Sequence, residues 1–367
     1  MMKKLIALVL AMTLCLTVLA GCGKADEPAV INPEAAYAKH APDEVVMTIN
    51  GSEVTWAEFF YFLHSGLAGL QQYVGDIVWS GDCITGQGTN AEYVWNFAME
   101  SVKQFHIVDE MATELGIQLS EDDEKLIAEV KASDVLNFCG PEGTDEQFDE
   151  VLKGMFMTRE VYDYVNRVSC LYNYVFDETV GVDSENLTDE QIADFVASVP
   201  YVSAKHILIK TVDDKNEPLS DEKIAEATEK AQTIYEELMS IEYMAEQQAR
   251  FDVLMKEYSE DTGKEFFPDG YTFKRGEMVK PFEDATFALE LNAISEPVKS
   301  DFGYHIILRL PTTRDSVVDM ASPENVMTIG NYAAFDAFET LVNGRMDEAD
   351  IQWMDGFQDL SPETVYA

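Results

Sequence analysis

Residues 268–310, PDGYTFKRGEMVKPFEDATFALELNAISEPVKSDFGYHIILRL, decide the fold. Residues 271–274 read as a short strand, 281–289 as a helix and 293–300 as a further strand. The turn Asp301-Phe302-Gly303 hands over to a last strand at 304–310. Upstream, YVSAKHILIK (201–210) alternates as a strand, with Val202, Ala204, His206 and Leu208 on one face and Ser203, Lys205, Ile207 and Ile209 on the other. A polar loop, 211–218, follows it. Ser220 then starts a long helix, stapled by Leu219 and Ile224, and a second helix spans 244–258 with Phe251, Leu254 and Met255 inward. Four strands and three or four helices make an α+β domain with an antiparallel sheet, of about 110 residues, an ordinary single-domain size.

Six short motifs run through this region in order: AKHIL (204–208), YSED (258–261), RGEMV (275–279), PFEDA (281–285), FAL (287–289) and GYHIIL (303–308). Together they resemble the parvulin-type peptidyl-prolyl cis/trans isomerases. The resemblance implies a four-stranded antiparallel sheet domain over residues 200–312, inserted into a mainly helical chaperone lobe. It also implies roles for single residues. Met278 and Phe282 would line a proline pocket, with Phe302 as its wall; His206 and His305 would be paired central histidines on neighbouring strands. Asp261 would hold the acidic or thiol position beside them, and Ser300 would hydrogen-bond toward His305. Gly270 stands where members of the family commonly carry Leu at the pocket's flank, so Tyr271 either refills that space or leaves the pocket shallower. The loop after His206 has no Arg pair, which argues against reading a phosphate. Taken singly, each residue has a plainer reading: a lone His on an apolar strand is usually a bonded core residue, and Met278 with Phe282 is an i, i+4 core pair.

Prolyl isomerisation makes and breaks no covalent bond. Rotation about the X-Pro amide meets a barrier of ~20 kcal/mol because the C–N bond has partial double-bond character. A site accelerates it by binding the twisted amide better than either planar form. That requires an apolar pocket for the ring, exclusion of water, and fixed polar groups for the altered carbonyl and nitrogen. No cofactor or metal enters such a scheme, and no CxxC or zinc-type spacing occurs among the five cysteines.

Beyond this domain the chain reports its setting. The balance of 25 Lys+Arg against 68 Asp+Glu, a net −43, would repel a phosphate backbone, so nucleic acid is excluded as a natural partner. Lys3 and Lys4 precede an apolar run over 5–20, and Leu19-Ala20-Gly21-Cys22 resembles a bacterial lipobox. Residues 1–21 are then a lipoprotein signal peptide, Cys22 is the lipidated residue, and 22–43 is a tether to the outer face of a bacterial cell membrane. Cys83, Cys139 and Cys170 remain, at most one disulfide, and buried thiols are expected.

Residues 44–199 read as a helical lobe. It opens with a hairpin about Asn50-Gly51 and a capping box at Thr55/Glu58. The glycines of 86–91 mimic a dinucleotide fingerprint without its strand, and read as loop. Capping boxes stand at Thr144/Gln147 and Thr188/Gln191, and a helical pattern runs through the aromatic-rich 155–176. Those aromatics serve either core packing or an exposed groove for unfolded clients. Residues 311–323 read as a polar connector, 326–345 as a last helix and 349–353 as a short strand. Residues 313–367 are expected to fold back onto the N-terminal lobe. The whole resembles the extracytoplasmic PrsA-like foldases, acting on unfolded exported polypeptides that contain X-Pro bonds. The alternative is a holdase chaperone whose parvulin-like domain only binds; a solute-binding lipoprotein has little but the leader in its favour.

Overall fold

The computed structural model describes residues 28–322 and 325–367. The leader, Cys22 and the first part of the expected tether lie outside the described residues. The chain divides into two units, one taking it up to Thr179 and again over Glu339–Ala367, the other Val180–Phe338.

In the first unit, α1 (Pro33–Tyr37) starts on an Asn32 cap that accepts the Ala35 N–H, and buries Ala36. Part of the stretch read as tether is therefore folded. β1 (Val45–Ile49) and β2 (Ser52–Thr55) form the expected hairpin, with Asn50 and Gly51 at φ 51° and 84°. Thr55 caps α2 (Trp56–Val74) by accepting the Glu58 N–H. The reciprocal half of that capping box is absent: the Glu58 carboxylate is buried against His106, Oε1 to Nε2 2.9 Å. The buried bond to His106 takes the carboxylate away from the cap. α3 (Asn90–Glu114) lays Val94, Ala98 and Val102 against Trp56, Phe59, Phe60 and Leu63 of α2. The loop before it holds Gly86 and Gly88 at positive φ, and Thr89 with Glu92 closes a capping box. α4 (Glu121–Cys139) and α5 (Asp145–Gly154) each begin on a capping box, at Ser120/Asp123 and Thr144/Gln147. The helical pattern expected to run unbroken through 155–176 is interrupted before α6 (Arg159–Thr179), where Phe156 takes φ 58°. Tyr162 and Phe176 on α6 are buried and Tyr164, Tyr172 and Tyr174 half-buried, so these aromatics pack.

The second unit opens with α7 (Asp189–Ser198), boxed by Thr188 and Gln191. Then come β3 (Val202–Lys210), α8 (Asp221–Met239), α9 (Met244–Tyr258), β4 (Tyr271–Phe273), α10 (Lys280–Ala288), β5 (Val298–Lys299) and β6 (Gly303–Leu310). The sheet order is β4-β3-β6-β5, every pair antiparallel, so the α+β expectation holds. One face carries Ile207, Ile209, Ile306 and Leu308 against Ala231, Ile234 and Leu238 of α8 and Phe251 and Leu254 of α9. The other carries Val202, Ala204 and Ile307 against Phe273 and Phe282. The strand expected over 293–300 contracts to β5 and one bridge, Ile294 to Leu308, because Pro297 has no N–H for the ladder. A hairpin joins β7 (Val317–Ser322), in the stretch read as polar connector, to β8 (Asn325–Thr328), which takes the first residues of the stretch read as the last helix. Its two register shifts break the alternation that would have marked it.

α11 (Ile329–Glu348) begins in this unit and ends in the first. β9 (Ile351–Trp353) then pairs antiparallel with β1, making a three-stranded sheet, and Trp353 stacks on Trp95 at 5.8 Å. α12 (Pro362–Tyr366) adds Val365 and Tyr366 to the first unit's core. Cys83, Cys139 and Cys170 are free thiols, with Cys83 alone fully buried. Among the described residues no helix is long and apolar enough to cross a membrane.

Candidate functional site

β3 and β6 set the histidines. Their register opposes His206 to Ile307 and Leu208 to His305. Opposed residues of an antiparallel pair share a face, so the two imidazoles are diagonal neighbours. The rings stack with centroids 5.1 Å apart and planes 11° apart, and Nδ1 meets Nδ1 at 2.9 Å. Both side chains are buried.

A chain of hydrogen bonds runs through the pair. His206 Nε2 lies 2.9 Å from Asp261 Oδ2, and the Tyr271 hydroxyl donates to that same oxygen at 2.6 Å. The Gly263 N–H donates to Asp261 Oδ1 at 3.1 Å. At the other end Ser300 Oγ is 2.7 Å from His305 Nε2 and accepts the Phe302 N–H at 3.1 Å. With one proton on each ring, donor and acceptor capacity fixes where the protons sit. An ionised Asp261 only accepts, so His206 carries its proton on Nε2 and accepts at Nδ1. His305 then donates from Nδ1 and accepts at Nε2 from the Ser300 hydroxyl. In this arrangement every proton points toward Asp261.

The electrostatics agree. Burial alone would raise the Asp261 carboxyl, but the bonds from His206, Tyr271 and Gly263 outweigh it and hold it well below the usual carboxylate range. Burial, with His206 beside it, pulls His305 down to about 3. Burial and the neighbouring Asp261 push the Tyr271 phenol above its ordinary range.

The apolar half of the site comes from α10. Pro281 stands in its first turn, and Phe282 faces inward, 3% exposed. Its ring lies 5.0 Å from His206, 5.4 Å from His305 and 5.5 Å from Phe273. Met278 packs half-buried on the same cluster. Two residues that the motifs contain had not been singled out. Glu283 is buried and accepts the Gly276 N–H at 2.6 Å, tying the RG turn to α10. Ser259 is buried and accepts the Leu208 N–H at 3.1 Å, which holds the YSED turn against β3.

Gly270 and Tyr271 divide the work at the flank. Gly270 sits at φ +101°, and a Cβ there would stand 2.7 Å from the Ala204 carbonyl oxygen, so the position has no room for a side chain. Tyr271 fills the flank instead, its ring 5.7 Å from His206 and 5.1 Å from Phe267. Phe302 takes part through its backbone, donating to Ser300 and accepting the Thr211 N–H; its ring is 38% exposed. The structure thus brings His206, Asp261, Tyr271, Phe282, His305 and Ser300 together, with Met278 on the same apolar cluster. Among the described residues no cluster of three or more His, Cys, Asp or Glu is placed to hold a metal ion.

Residues 206–310 match the family model of the PPIC-type peptidyl-prolyl isomerase (rotamase) domain. The foldase protein PrsA 1 of Bacillus cereus is 40% identical over 124 residues, 34% of this chain and 35% of that one. The foldase protein PrsA of Caldanaerobacter subterraneus is 26% identical over 310 residues, 83% of this chain and 84% of that one. The peptidyl-prolyl cis-trans isomerase pin1 of Rhizopus delemar is 39% identical over 111 residues, 29% of this chain and 71% of that one. A crystal structure of PrsA from Bacillus cereus aligns at 20% identity and a TM-score of 0.28, covering 87% of this chain and 97% of that one. The chain spans between a third and a little over half of the first two curated relatives that it matches, 35% and 55%.

Proposed function

This chain belongs to the PPIC-type, or parvulin, family of peptidyl-prolyl isomerases, and on that premise we propose that its domain of residues 200–312 isomerises X-Pro bonds in unfolded exported polypeptides. The observation that carries the proposal is the placement of Phe282 directly against a stacked, hydrogen-bonded histidine pair. Phe282 and Met278 supply the apolar surface on which a proline ring rests. That surface excludes the water that favours the planar, more polar amide. The chain from Phe302 N–H to Asp261 holds the imidazoles in one tautomer, so their dipoles are already oriented when the amide twists and cost no reorganisation. His305 takes up no proton in the physiological range, because burial holds its pKa at about 3.

His206, Asp261, His305 and Ser300 form the polar set of this site; Met278, Phe282, Tyr271 and, at its mouth, Phe302 form the substrate-binding set, with Gly270 admitting the close backbone. The Cys22 motif supports a lipid anchor on the outer face of a bacterial cell membrane, where chains emerge unfolded and X-Pro isomers are mixed. The relatives named as foldase proteins support the foldase reading.

The test is a protease-coupled proline-peptide assay on the full chain beside His206→Ala and Phe282→Ala, with folding followed by circular dichroism. Turnover above background that Phe282→Ala largely abolishes supports the reading; a folded wild-type chain with no such turnover overturns it. A binding-only holdase has one observation in its favour. α4 buries none of its residues and leaves Leu136 and Phe138 54% and 56% exposed. It predicts that aggregation suppression survives both substitutions.

A further inference from the structure

Tyr271 belongs to the hydrogen-bond chain as much as to the pocket wall. Its O–H lies 2.6 Å from Asp261 Oδ2, the oxygen that also receives the His206 Nε2–H at 2.9 Å. Two glycines build this placement. Gly270, at φ +101°, lets the chain lie against the Ala204 carbonyl immediately before β4. A Cβ on Gly263 would collide with the Tyr271 hydroxyl, so the turn after Asp261 is shaped around that oxygen. The same Gly263 donates its N–H to Asp261 Oδ1. Both carboxylate oxygens are therefore held, and the group cannot rotate about its Cβ–Cγ bond without breaking a bond.

We propose that Tyr271 is a positioning residue of the isomerase site: its hydroxyl locks the Asp261 carboxylate, and through it the Nε2–H tautomer of His206 and the direction of the chain out to Ser300. The effect on turnover rests on the isomerase reading above; the effect on the ring protons does not. The surroundings leave this role to Tyr271. Around Asp261 the titratable groups are His206 on β3 and Tyr271 on β4, with His305 on β6 one step further. Lys264 is engaged by the Ser259 carbonyl, and Glu260 accepts the Lys210 N–H at 2.8 Å. Without the phenol each carboxylate oxygen keeps one donor, His206 on Oδ2 and Gly263 on Oδ1, so the oxygen facing His206 is held less tightly. His206 then loses the single orientation that makes its Nδ1 the acceptor, and the dipole is no longer set before the amide twists.

Tyr271→Phe isolates the hydrogen bond, since the ring contacts with His206 and Phe267 remain. In the full chain it is expected to lower kcat about tenfold with KM nearly unchanged, the loss due to one charge-assisted hydrogen bond. In an Asp261→Asn background the same substitution is expected to cost little, because its route of action is gone. Nitrogen-15 spectra of the imidazoles at neutral pH give a readout independent of turnover. The wild type should show His206 as one Nε2–H tautomer and His305 as one Nδ1–H tautomer, and Tyr271→Phe should show mixed tautomers at His206. Gly263→Ala, which displaces the hydroxyl from the other side, should reproduce that spectrum. Unchanged His206 tautomers in Tyr271→Phe overturn the proposal, as does an equal loss with and without Asp261. A tautomer change in a chain that has no turnover at all would instead overturn the isomerase reading and leave the positioning role standing.

Discussion

Gly270 shows how a single residue can be misjudged from sequence and explained by geometry. Read against its neighbours it is a missing apolar side chain at the edge of a pocket. In the fold it is a backbone position at φ +101° with the Ala204 carbonyl oxygen 2.7 Å from where a Cβ would sit. Gly270→Ala is expected to cost about 1–3 kcal/mol, from left-handed strain and from pushing β4 off β3. Urea unfolding followed by far-UV circular dichroism checks it; an unchanged midpoint would show that β4 shifts freely. Glu58 carries the converse lesson. The Thr-x-x-Glu pattern at 55–58 is a genuine helix start, since Thr55 does accept the Glu58 N–H. Its carboxylate nevertheless goes to His106, 48 positions away. A local motif fixes backbone geometry well, and a side chain's partner only when nothing deeper competes.

Among the elements, the sequence was most legible where a period or a cap is local. α7, α9, β3 and β6 lie within a residue or two of where alternation and capping boxes put them. Alternation also sets His206 on the face of Val202 and Ala204, against which Phe282 packs, while the pairing with His305 and the pocket role of Phe282 came from the family resemblance. What stayed hidden depends on contacts distant in sequence. The bond of Tyr271 to Asp261 closes a turn whose course no periodicity records. The β7–β8 hairpin is similar: bulges interrupt its alternation, and it is held in place by a neighbouring segment. Arg314, just before β7, donates to the Ser184 carbonyl, to Ser184 Oγ at 2.8 Å and to the Leu187 carbonyl at 2.7 Å, and Asn331 donates to the Val182 carbonyl at 2.9 Å. These bonds satisfy the turn over 180–188, whose Ser184 is buried at φ 61°. Arg314→Ala removes the side-chain donor from the Leu187 carbonyl and leaves the Ser184 carbonyl with the Leu187 N–H alone, and is expected to destabilise the second unit by about 1–3 kcal/mol. Hydrogen exchange should show faster opening of α7 and the hairpin with the β3–β6 ladder little changed; equal acceleration throughout would mean that the clamp is part of the global core.

At the scale of the whole molecule, burial lowers a histidine in each unit, His64 in the first and, further, His305 in the second. The second unit buries His305 as a neutral ring, with its pKa at about 3 in the fold against 6.5 ordinarily. Between those values the unfolded chain binds a proton that the folded unit refuses, so stability is full above pH 6.5 and falls as pH drops through the window, by up to about 1.4 kcal/mol for each unit of pH. Asp261 acts in the same sense further down: its depressed pKa stabilises the fold above the ordinary carboxylate value of 3.8 and is lost below it. The second unit should therefore loosen first on acidification. The chain contains its own reporter, because all four tryptophans, Trp56, Trp79, Trp95 and Trp353, lie in the first unit. On titration from pH 7 toward 4, turnover and part of the far-UV signal should be lost while tryptophan fluorescence holds. His305→Gln, which has no proton to gain, should move the early transition to lower pH without touching the tryptophan signal. If instead the two signals fall together, and His305→Gln leaves them together, then acid acts on the chain as one cooperative body, and the buried neutral histidine is not what limits the isomerase unit.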